Sequence, residues 1–427
     1  MKGGCKMIKK VLACTSVLLL GIGLGVVAGQ TLTPNQQLGK SIFFDQNLSI
    51  NRNQSCATCH APEVGWTGPH AGINAHGAVY EGSIPGRFGD RKPPSSAYAT
   101  PSPILYLSRS GLWIGGNFWD GRATGEKLGN PAADQAQGPF LNPAEQALPD
   151  SACVVYRVCN PVVPGDYPVT LQAVWGTGAC DIEWPADIAL VCATEDGTVD
   201  LSDQDRAKSD MAYDSIALSI AAYEASPEVN AFTSKYDYSF KGMAKLTKQE
   251  RKGFSLFMGK GKCNRCHVGA GQSALFTDYS FDNLGVPKNP ENPVYDTNSD
   301  FVDLGLGGFL EKAGYPEDVY VPEQGKHKVP TLRNVDLRPS ATFVKAYSHN
   351  GYFKSLQAIV HFYNTRDVKP ICPGDYTEAD ALAEGCWPAP EVSQNLNTAE
   401  LGNLGLTQEE EDAIVAFLKA LSDGFPP

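Results

Sequence analysis

The sequence has little charge, little methionine and few long apolar runs. Charged residues make up 19% of the 427 residues, and 47 acids against 35 bases give a formal net charge of −12. A protein that binds nucleic acid needs a basic face, so this balance predicts no nucleic-acid partner. Beyond the N-terminal segment no stretch of about 18 residues is apolar throughout, so the rest of the chain is not predicted to span a membrane. Only five methionines occur, and none follows Met258.

Residues 1–29 have the pattern of a secretory signal peptide. Lys9 and Lys10 precede an apolar run that extends to Val27, and small residues follow it. Lipid attachment at Cys14 and an uncleaved N-terminal anchor are the alternative interpretations. Export predicts a periplasmic protein in an oxidising compartment, where disulfides persist.

Cysteine is abundant, and four of the twelve cysteines form a repeated motif. The two copies are Cys56-Ala-Thr-Cys59-His60 and Cys263-Asn-Arg-Cys266-His267. C-x-x-C-H is the attachment site of c-type haem, in which two thiols bond the porphyrin and the histidine binds the iron. A zinc site and a thioredoxin-like dithiol are the alternatives. In zinc knuckles the two C-x-x-C units usually lie closer together in the sequence, and a histidine need not follow each of them. A thioredoxin-like site needs a single C-x-x-C, whereas this chain has two. The sequence therefore predicts two covalently bound haem c groups.

Six further cysteines fall into neighbouring pairs and predict disulfides. Pairing of nearest neighbours predicts the three bonds Cys153–Cys159, Cys180–Cys192 and Cys372–Cys386, with other connectivities left open. Four of these cysteines lie in residues 146–200, which also contain β-rich runs such as 189–193. We expect this segment to be a disulfide-stapled surface insertion.

Helical patterns predict a fold that is mainly α with long loops. Two capping boxes, which begin at Thr247 and Thr407, each predict the start of a helix. Residues 207–225 place their apolar side chains on one helical face. Each C-x-x-C-H motif begins one half of the chain, so we expect an N-terminal domain over 30–240 and a C-terminal domain over 241–427.

Six short segments together resemble the bacterial diheme cytochrome c peroxidase/MauG superfamily. They are residues 38–45, 55–60, 118–122, 135–145, 329–334 and 349–351. The segments occur in the family's order and extend over nearly all of the chain beyond the signal peptide. The resemblance implies two cytochrome c-like haem domains and an oxidoreductase that reacts with hydrogen peroxide.

The resemblance also implies a role for individual residues. His60 matches the iron ligand of the peroxide-reactive haem, and His267 matches that of the electron-transferring haem. Trp119 matches a tryptophan between the haems, where it can relay electrons. Gln135 and Glu145 match the pair above the reactive iron, where a carboxylate can move a proton between the peroxide oxygens. Without the haem motifs, Trp119 would be interpreted as core and the other two as a solvated loop.

The second haem departs from the peroxidases of the family, which use a methionine as its other ligand. The corresponding position here is Tyr363, and MauG resembles this chain in having a tyrosine ligand. A phenolate in place of a thioether lowers the reduction potential, because the axial ligand is a main determinant of that potential. His361 is the rival ligand, but two residues along a helix it points elsewhere. The sequence favours Tyr363.

A second departure concerns the first haem and the metal that the family binds between its domains. Many family peroxidases have a gating histidine about sixteen residues after the proximal one, and His76 occupies that spacing with His70 nearby. The following loop, 77–94, differs from the family pattern, so an exposed loop histidine is the alternative interpretation of His76.

The calcium site of the family is not recognisable in this sequence. The family's Ca²⁺ has an asparagine ligand, but residues 99–101 are Ala-Thr-Pro here. Calcium is therefore implied by the resemblance alone.

Three functions follow from these features. The first is a peroxidase that takes electrons from a small periplasmic donor, a cytochrome c or a cupredoxin. The second is a MauG-like enzyme that uses peroxide to oxidise Trp or Tyr of a partner protein. The third is an electron-transfer cytochrome without catalysis, which Gln135 and Glu145 argue against, because an electron carrier needs no acid–base pair. A homodimer is compatible with each of the three.

Overall fold

Helices form most of the regular secondary structure, as the apolar periodicity predicts. The computed structural model describes Met1, residues 31–161 and residues 167–426, so the predicted signal peptide lies outside the described residues apart from Met1. None of the helices in these ranges has the length and apolarity that a membrane crossing requires.

The α-helices of the described ranges are α1 (Pro34–Phe43), α2 (Cys56–Cys59), α3 (Ala71–Asn74), α4 (Pro131–Leu141), α5 (Ser151–Cys159), α6 (Tyr167–Trp175), α7 (Ile188–Val191), α8 (Asp203–Glu224), α9 (Lys235–Phe240), α10 (Lys248–Met258), α11 (Val294–Thr297), α12 (Gly305–Lys312), α13 (Glu317–Tyr320), α14 (Leu356–Thr365), α15 (Glu378–Glu384) and α16 (Gln408–Lys419). Short 3₁₀ helices occur at Gln46–Leu48, Pro62–Val64, Thr177–Cys180, Cys263–Arg265 and Val321–Glu323. Two antiparallel two-stranded sheets are formed by the strands β1 (Tyr106–Leu107) with β2 (Trp113–Ile114) and β3 (Phe281–Asp282) with β4 (His327–Lys328).

The helix starts that the sequence predicts are confirmed. Thr247 and Thr407 cap α10 and α16, and in both helices the capping box is complete. Each cap satisfies backbone N–H groups that the first helical turn leaves without a partner. The apolar face predicted for 207–225 lies on α8, where Ile216 and Ile220 are buried.

Two hydrophobic clusters follow one another along the chain and meet between Val229 and Tyr236, a few residues before the predicted domain boundary. One contains residues between Leu38 and Val229, and the other contains residues between Tyr236 and Leu421. The boundary itself stays a prediction, because the described residues from Leu32 onward form one compact unit.

A pair of helices that cross at a glycine supports each cluster. A Cβ atom on Gly39 of α1 would lie 1.8 Å from the carbonyl oxygen of Ser219 in α8. A Cβ atom on Gly253 of α10 would lie at the same distance from the carbonyl oxygen of Ala413 in α16. Both pairs therefore depend on the close backbone approach that only glycine permits. The same arrangement precedes each C-x-x-C-H motif.

The predicted disulfide pairing is right for one bond and wrong for two. Cys372–Cys386 forms as predicted, but the other four cysteines pair as Cys153–Cys192 and Cys159–Cys180. The reason is that Cys153 and Cys159 both lie on α5. Six residues of helical rise separate their Cα atoms by about 9 Å, beyond the reach of a disulfide. Each cysteine of α5 therefore bonds to a cysteine later in the chain.

The prediction of β-rich structure in residues 146–200 is also wrong, and the expected surface position does not hold for α5. Residues 188–191 form a helical turn and not a strand. The prediction failed because the periodicity of such a short apolar run does not distinguish a strand from a helix. Cys153, Val154 and Val155 of α5 are fully buried and belong to the first hydrophobic cluster. The Cys153–Cys192 disulfide therefore lies in the core, and the Cys159–Cys180 disulfide packs against it.

We expect mass spectrometry of unreduced peptides to find Cys159 linked to Cys180. Replacing both with alanine should lower the free energy of unfolding by about 3 kcal/mol, because the bond closes a loop of 21 residues in the unfolded chain. Denaturant unfolding measures this loss. A peptide that links Cys153 to Cys159 would contradict the described pairing.

Candidate functional site

The two C-x-x-C-H motifs present the same set of donor atoms. Their four cysteines are free thiols, whereas each of the other cysteines in the described residues is in a disulfide. His60 Nδ1 lies 3.2 Å from the carbonyl oxygen of Trp66, and His267 Nδ1 lies 3.0 Å from that of Phe276. A backbone partner at Nδ1 is typical of a metal-binding imidazole, because it leaves Nε2 for the metal.

Burial keeps both histidines neutral, as a metal ligand must be. It lowers the pKa of His60 to about 4 and also lowers the pKa of His267. Burial likewise raises the pKa of Cys56 and of Cys263 to about 12. Free thiols buried in this way are protonated at neutral pH.

The first motif opens onto a cavity that also contains the predicted distal pair. Besides Cys56, Cys59 and His60, the lining includes Gln135, Pro139, Glu145 and Glu224. Gln135 and Pro139 lie on α4, and Glu145 follows the end of that helix. The structure thus brings together residues that are far apart in sequence, in the combination that the resemblance implied.

The surroundings of Glu145 favour its protonated form. Its Oε1 atom accepts a hydrogen bond of 2.7 Å from Nδ2 of Asn142. Burial raises the pKa of Glu145, while the Asn142 hydrogen bond and the charge of Arg122 oppose the rise. A carboxyl group with a raised pKa can both accept and return a proton near neutral pH.

The second motif opens onto a larger cavity of about 220 Å³. Tyr363 on α14 lines this cavity together with Cys263, Cys266 and His267. Burial raises the pKa of the Tyr363 hydroxyl, and the neighbouring thiols add to the rise.

His361, the rival ligand, lies elsewhere. Its Nδ1 atom is 3.1 Å from both carboxylate oxygens of Glu411, and it is not part of the cavity lining. Two residues on a helix differ in direction by about 200°, so only one of this pair can face the cavity. The structure therefore brings Tyr363, and not His361, together with His267.

Trp119 lies in the wall between the two sites. It lines the second cavity and also a smaller cavity that His60 lines. Its indole N–H donates a hydrogen bond of 2.8 Å to the carbonyl oxygen of Lys92, and its own carbonyl oxygen accepts one of 2.8 Å from the N–H of Lys328. The ring is thus held in place from two directions.

The two candidate gating histidines are not near His60. The His76 side chain is 70% exposed, and its Nδ1 atom lies 2.7 Å from Oε1 of Glu291. His70 is exposed and lies against Tyr80. Neither lines the cavities described above. The spacing that suggested His76 is present, but the side chain faces solvent.

Residues 99–101, where the resemblance placed the calcium region, contribute to no group of metal-binding side chains in the described residues. One such group combines Asp303, His327 and His349. The two imidazoles are stacked with centroids 3.5 Å apart at an interplanar angle of 7°. A metal lies in the plane of an imidazole ligand, so two nearly parallel imidazoles do not bind one ion together. Arg91 also donates hydrogen bonds to both carboxylate oxygens of Asp303, which pairs that charge. This group of side chains is therefore not arranged as a metal site.

Sequence reasoning missed Glu224, which ends α8. This carboxyl group is 4% exposed and lines both cavities at His60. Burial raises its pKa to about 8. The signal was present, because Ile216, Ile220 and Glu224 recur every four residues and therefore share one helical face.

Comparison with known proteins identifies the family. A family model described as di-haem cytochrome c peroxidase matches residues 33–245. The methylamine utilization protein MauG of Paracoccus denitrificans is 33% identical over 421 residues, which are 96% of this chain and 95% of that protein. The chain belongs to the di-haem cytochrome c peroxidase/MauG family. The resemblance seen in the sequence is therefore confirmed.

Other relatives in this family have the name of peroxidase. The cytochrome-c peroxidase IdrP1 of Denitromonas iodatirespirans is 24% identical over 402 residues, which are 90% of this chain and 80% of that protein. The crystal structure of the diheme peroxidase BthA from Burkholderia thailandensis superimposes with a TM-score of 0.71 at 27% identity. The match covers 92% of this chain and 87% of that one. Membership in the family thus implies an oxidoreductase with haem c.

The residues present fit haem c at both motifs. Each motif offers two free thiols for the porphyrin, a neutral imidazole whose Nδ1 is already bound, and an adjoining cavity. A zinc site does not fit, because the two pairs of thiols line different cavities and cannot share one ion.

Replacing Glu224 with glutamine should stabilise the protein at alkaline pH. Its folded-state pKa of about 8 lies above the ordinary value, so the folded state holds this proton more tightly than the unfolded state does. Stability due to this group is present in acid and is lost as pH rises toward about 8. The unfolding free energy of Glu224→Gln relative to wild type should therefore increase between pH 5 and pH 8, measured by denaturant unfolding.

The exposed Glu126 provides the matched control. Glu126→Gln should show no such pH-dependent gain. An equal gain in both variants, or none in Glu224→Gln, would contradict the burial argument.

Proposed function

We propose that this protein is a periplasmic diheme c-type peroxidase that reduces hydrogen peroxide to water with electrons from a small redox protein, a cytochrome c or a cupredoxin. The observation that supports this most strongly is Glu145, a half-buried carboxyl group with a raised pKa that lines the cavity of the first motif together with Gln135. An electron carrier has no use for an acid–base group at that position. The proposal includes two cytochrome c-like domains, over 30–240 and 241–427.

Haem c, when bound at the first motif, supplies the iron at which peroxide and electrons meet. His60 would hold the iron through Nε2, because its Nδ1 already contacts the Trp66 carbonyl oxygen. Glu145 takes a proton from one peroxide oxygen and returns it to the other as the O–O bond breaks. Gln135 orients the peroxide by hydrogen bonding. With two electrons and two protons, each peroxide then gives two waters.

Electrons reach the first motif through the second. His267 and Tyr363 both line the second cavity and would hold the second haem there, and Trp119 lies between that cavity and His60. Since neither His70 nor His76 lines the cavities at His60, the peroxide site is open without prior reduction of the second haem.

A second candidate function is favoured by Tyr363. MauG of Paracoccus denitrificans is a relative over almost the full length of both chains. A tyrosine ligand disfavours reduction of the second haem, which suits an enzyme that withdraws electrons from Trp or Tyr of a partner protein. The two candidates use the same residues and differ in the source of the electrons.

Steady-state turnover separates the two candidates. We expect the holoprotein to consume peroxide with a reduced cytochrome c or cupredoxin, at two donors per peroxide. The absence of turnover with every small donor, together with peroxide-dependent oxidation of Trp or Tyr in a partner protein, would establish the second candidate instead.

Glu145→Gln should lower kcat/KM for peroxide by about 10²- to 10⁴-fold, because the amide cannot exchange the proton. Haem content, measured by the pyridine haemochrome spectrum, should stay at two per chain. Glu126→Gln is the matched control on an exposed carboxyl and should keep full activity. Full activity in Glu145→Gln would rule out its acid–base role.

Tyr363→Met should raise the reduction potential of one haem and leave the other unchanged, because a thioether favours the reduced iron. His361→Gln is the control at the neighbouring position of α14 and should change neither potential. Spectroelectrochemical titration measures both variants. A shift in His361→Gln but not in Tyr363→Met would reverse the ligand assignment.

A further inference from the structure

The positive charge of this acidic chain is concentrated before and within the second haem motif. Residues 241–268 contain eight of the 35 bases but only one of the 47 acids, Glu250. The bases are Lys241, Lys245, Lys248, Arg251, Lys252, Lys260, Lys262 and Arg265. The net charge of the whole chain conceals this local excess.

The fold presents several of these bases on one exposed surface. Gly253 and Phe257 are the buried residues of α10. Lys248, Arg251 and Lys252 are exposed, and their spacing of three and four residues places them on one side of the helix. We call Lys248, Arg251, Lys252 and Arg265 the basic patch.

The nearby acids form their ion pairs with lysines outside the basic patch, although the charge of Lys252 helps to lower the pKa of Glu410. Both oxygens of Glu250 are 2.8 Å from Nζ of Lys235, and Oε2 of Glu410 is 2.5 Å from Nζ of Lys260. Among the described residues, no member of the patch forms an ion pair. The acidic start of α16, which contains Glu409 and Glu410, bounds the patch on the side of Lys260.

The basic patch lies close in the sequence to the second C-x-x-C-H motif, whose residues are partly exposed. α10 ends at Met258, and Cys263 follows after four residues. Cys263, Cys266 and His267 are half-buried, and Val268 is 51% exposed. Lys262 and Cys263, which follow α10, line the second cavity, so the chain leads directly from the basic patch to the edge of that cavity.

We propose that the basic patch is the docking surface for an acidic redox protein that delivers electrons to the second haem site. This inference rests on the proposed function, because that function requires a donor. Complementary charge speeds such encounters by about 10- to 10³-fold at low salt. Since screening limits these interactions to about 10 Å, a small partner senses the patch more than the acidic remainder of the chain. An extended anionic membrane would also meet that acidic remainder, so the observations favour a protein.

The test compares two double charge reversals of the full holoprotein. Lys248→Glu/Lys252→Glu changes the patch, and Arg109→Glu/Lys312→Glu makes the same change of charge at exposed residues elsewhere. Thermal unfolding checks that both variants fold. The probes are a c-type cytochrome of acidic pI, a basic cytochrome c of similar size and phosphatidylglycerol vesicles. Calorimetry measures cytochrome binding at low and at high ionic strength, so the result does not depend on turnover.

We expect the acidic cytochrome to bind more tightly than the basic one, with an affinity that falls as salt increases. The patch variant should bind the acidic cytochrome at least about 10-fold more weakly, and the control variant should bind within about 2-fold of wild type. Unchanged binding in the patch variant, or preference for the basic cytochrome, would overturn the proposal. The proposal is also overturned if the patch variant no longer binds phosphatidylglycerol vesicles but still binds the acidic cytochrome as wild type does. If the wild-type holoprotein binds the acidic cytochrome as expected but does not consume peroxide with a small reduced dye as electron donor, the proposed function is refuted instead.

Discussion

The two sites depend on one shared wall, in which Trp119 is held by hydrogen bonds from two different segments. The carbonyl of Lys92 fixes the indole N–H, and the N–H of Lys328 on β4 fixes the backbone. Behind this wall, the buried ion pair of Arg333 with Asp237 stabilises the junction, since neither charge can be left unpaired away from water. The two cavities thus share a wall that these hydrogen bonds hold in place. In the proposed function, electrons cross this wall.

Local features were predictable from the sequence, and features that depend on the tertiary fold were not. The capping boxes at Thr247 and Thr407 need only three following residues, so the starts of α10 and α16 were predicted. The disulfide of Cys159 depends on where α5 lies, and the prediction was wrong. His76 has the spacing of a gate, yet Glu291, more than two hundred residues later, holds it at the surface. Family resemblance identified the side chains around both motifs, but Glu224 was missed.

Burial, rather than ion pairing, sets the chemistry of both sites. It keeps the two histidines neutral and raises the pKa of Glu145, Glu224 and Tyr363. The same cavities therefore suit a peroxidase and a MauG-like enzyme. The two functions differ in the partner protein that reaches the second site. The basic patch on the surface indicates an acidic partner.

The most direct test of the account is the optical and EPR spectrum of the ferric holoprotein, before and after one equivalent of peroxide. The account predicts two haems with different ligation. One is held by His267 and Tyr363, and the other is held by His60 with an open or exchangeable position. Peroxide should change the signal of the open haem, and Glu145→Gln should slow that change. Two low-spin, six-coordinate haems that do not react with peroxide would contradict it.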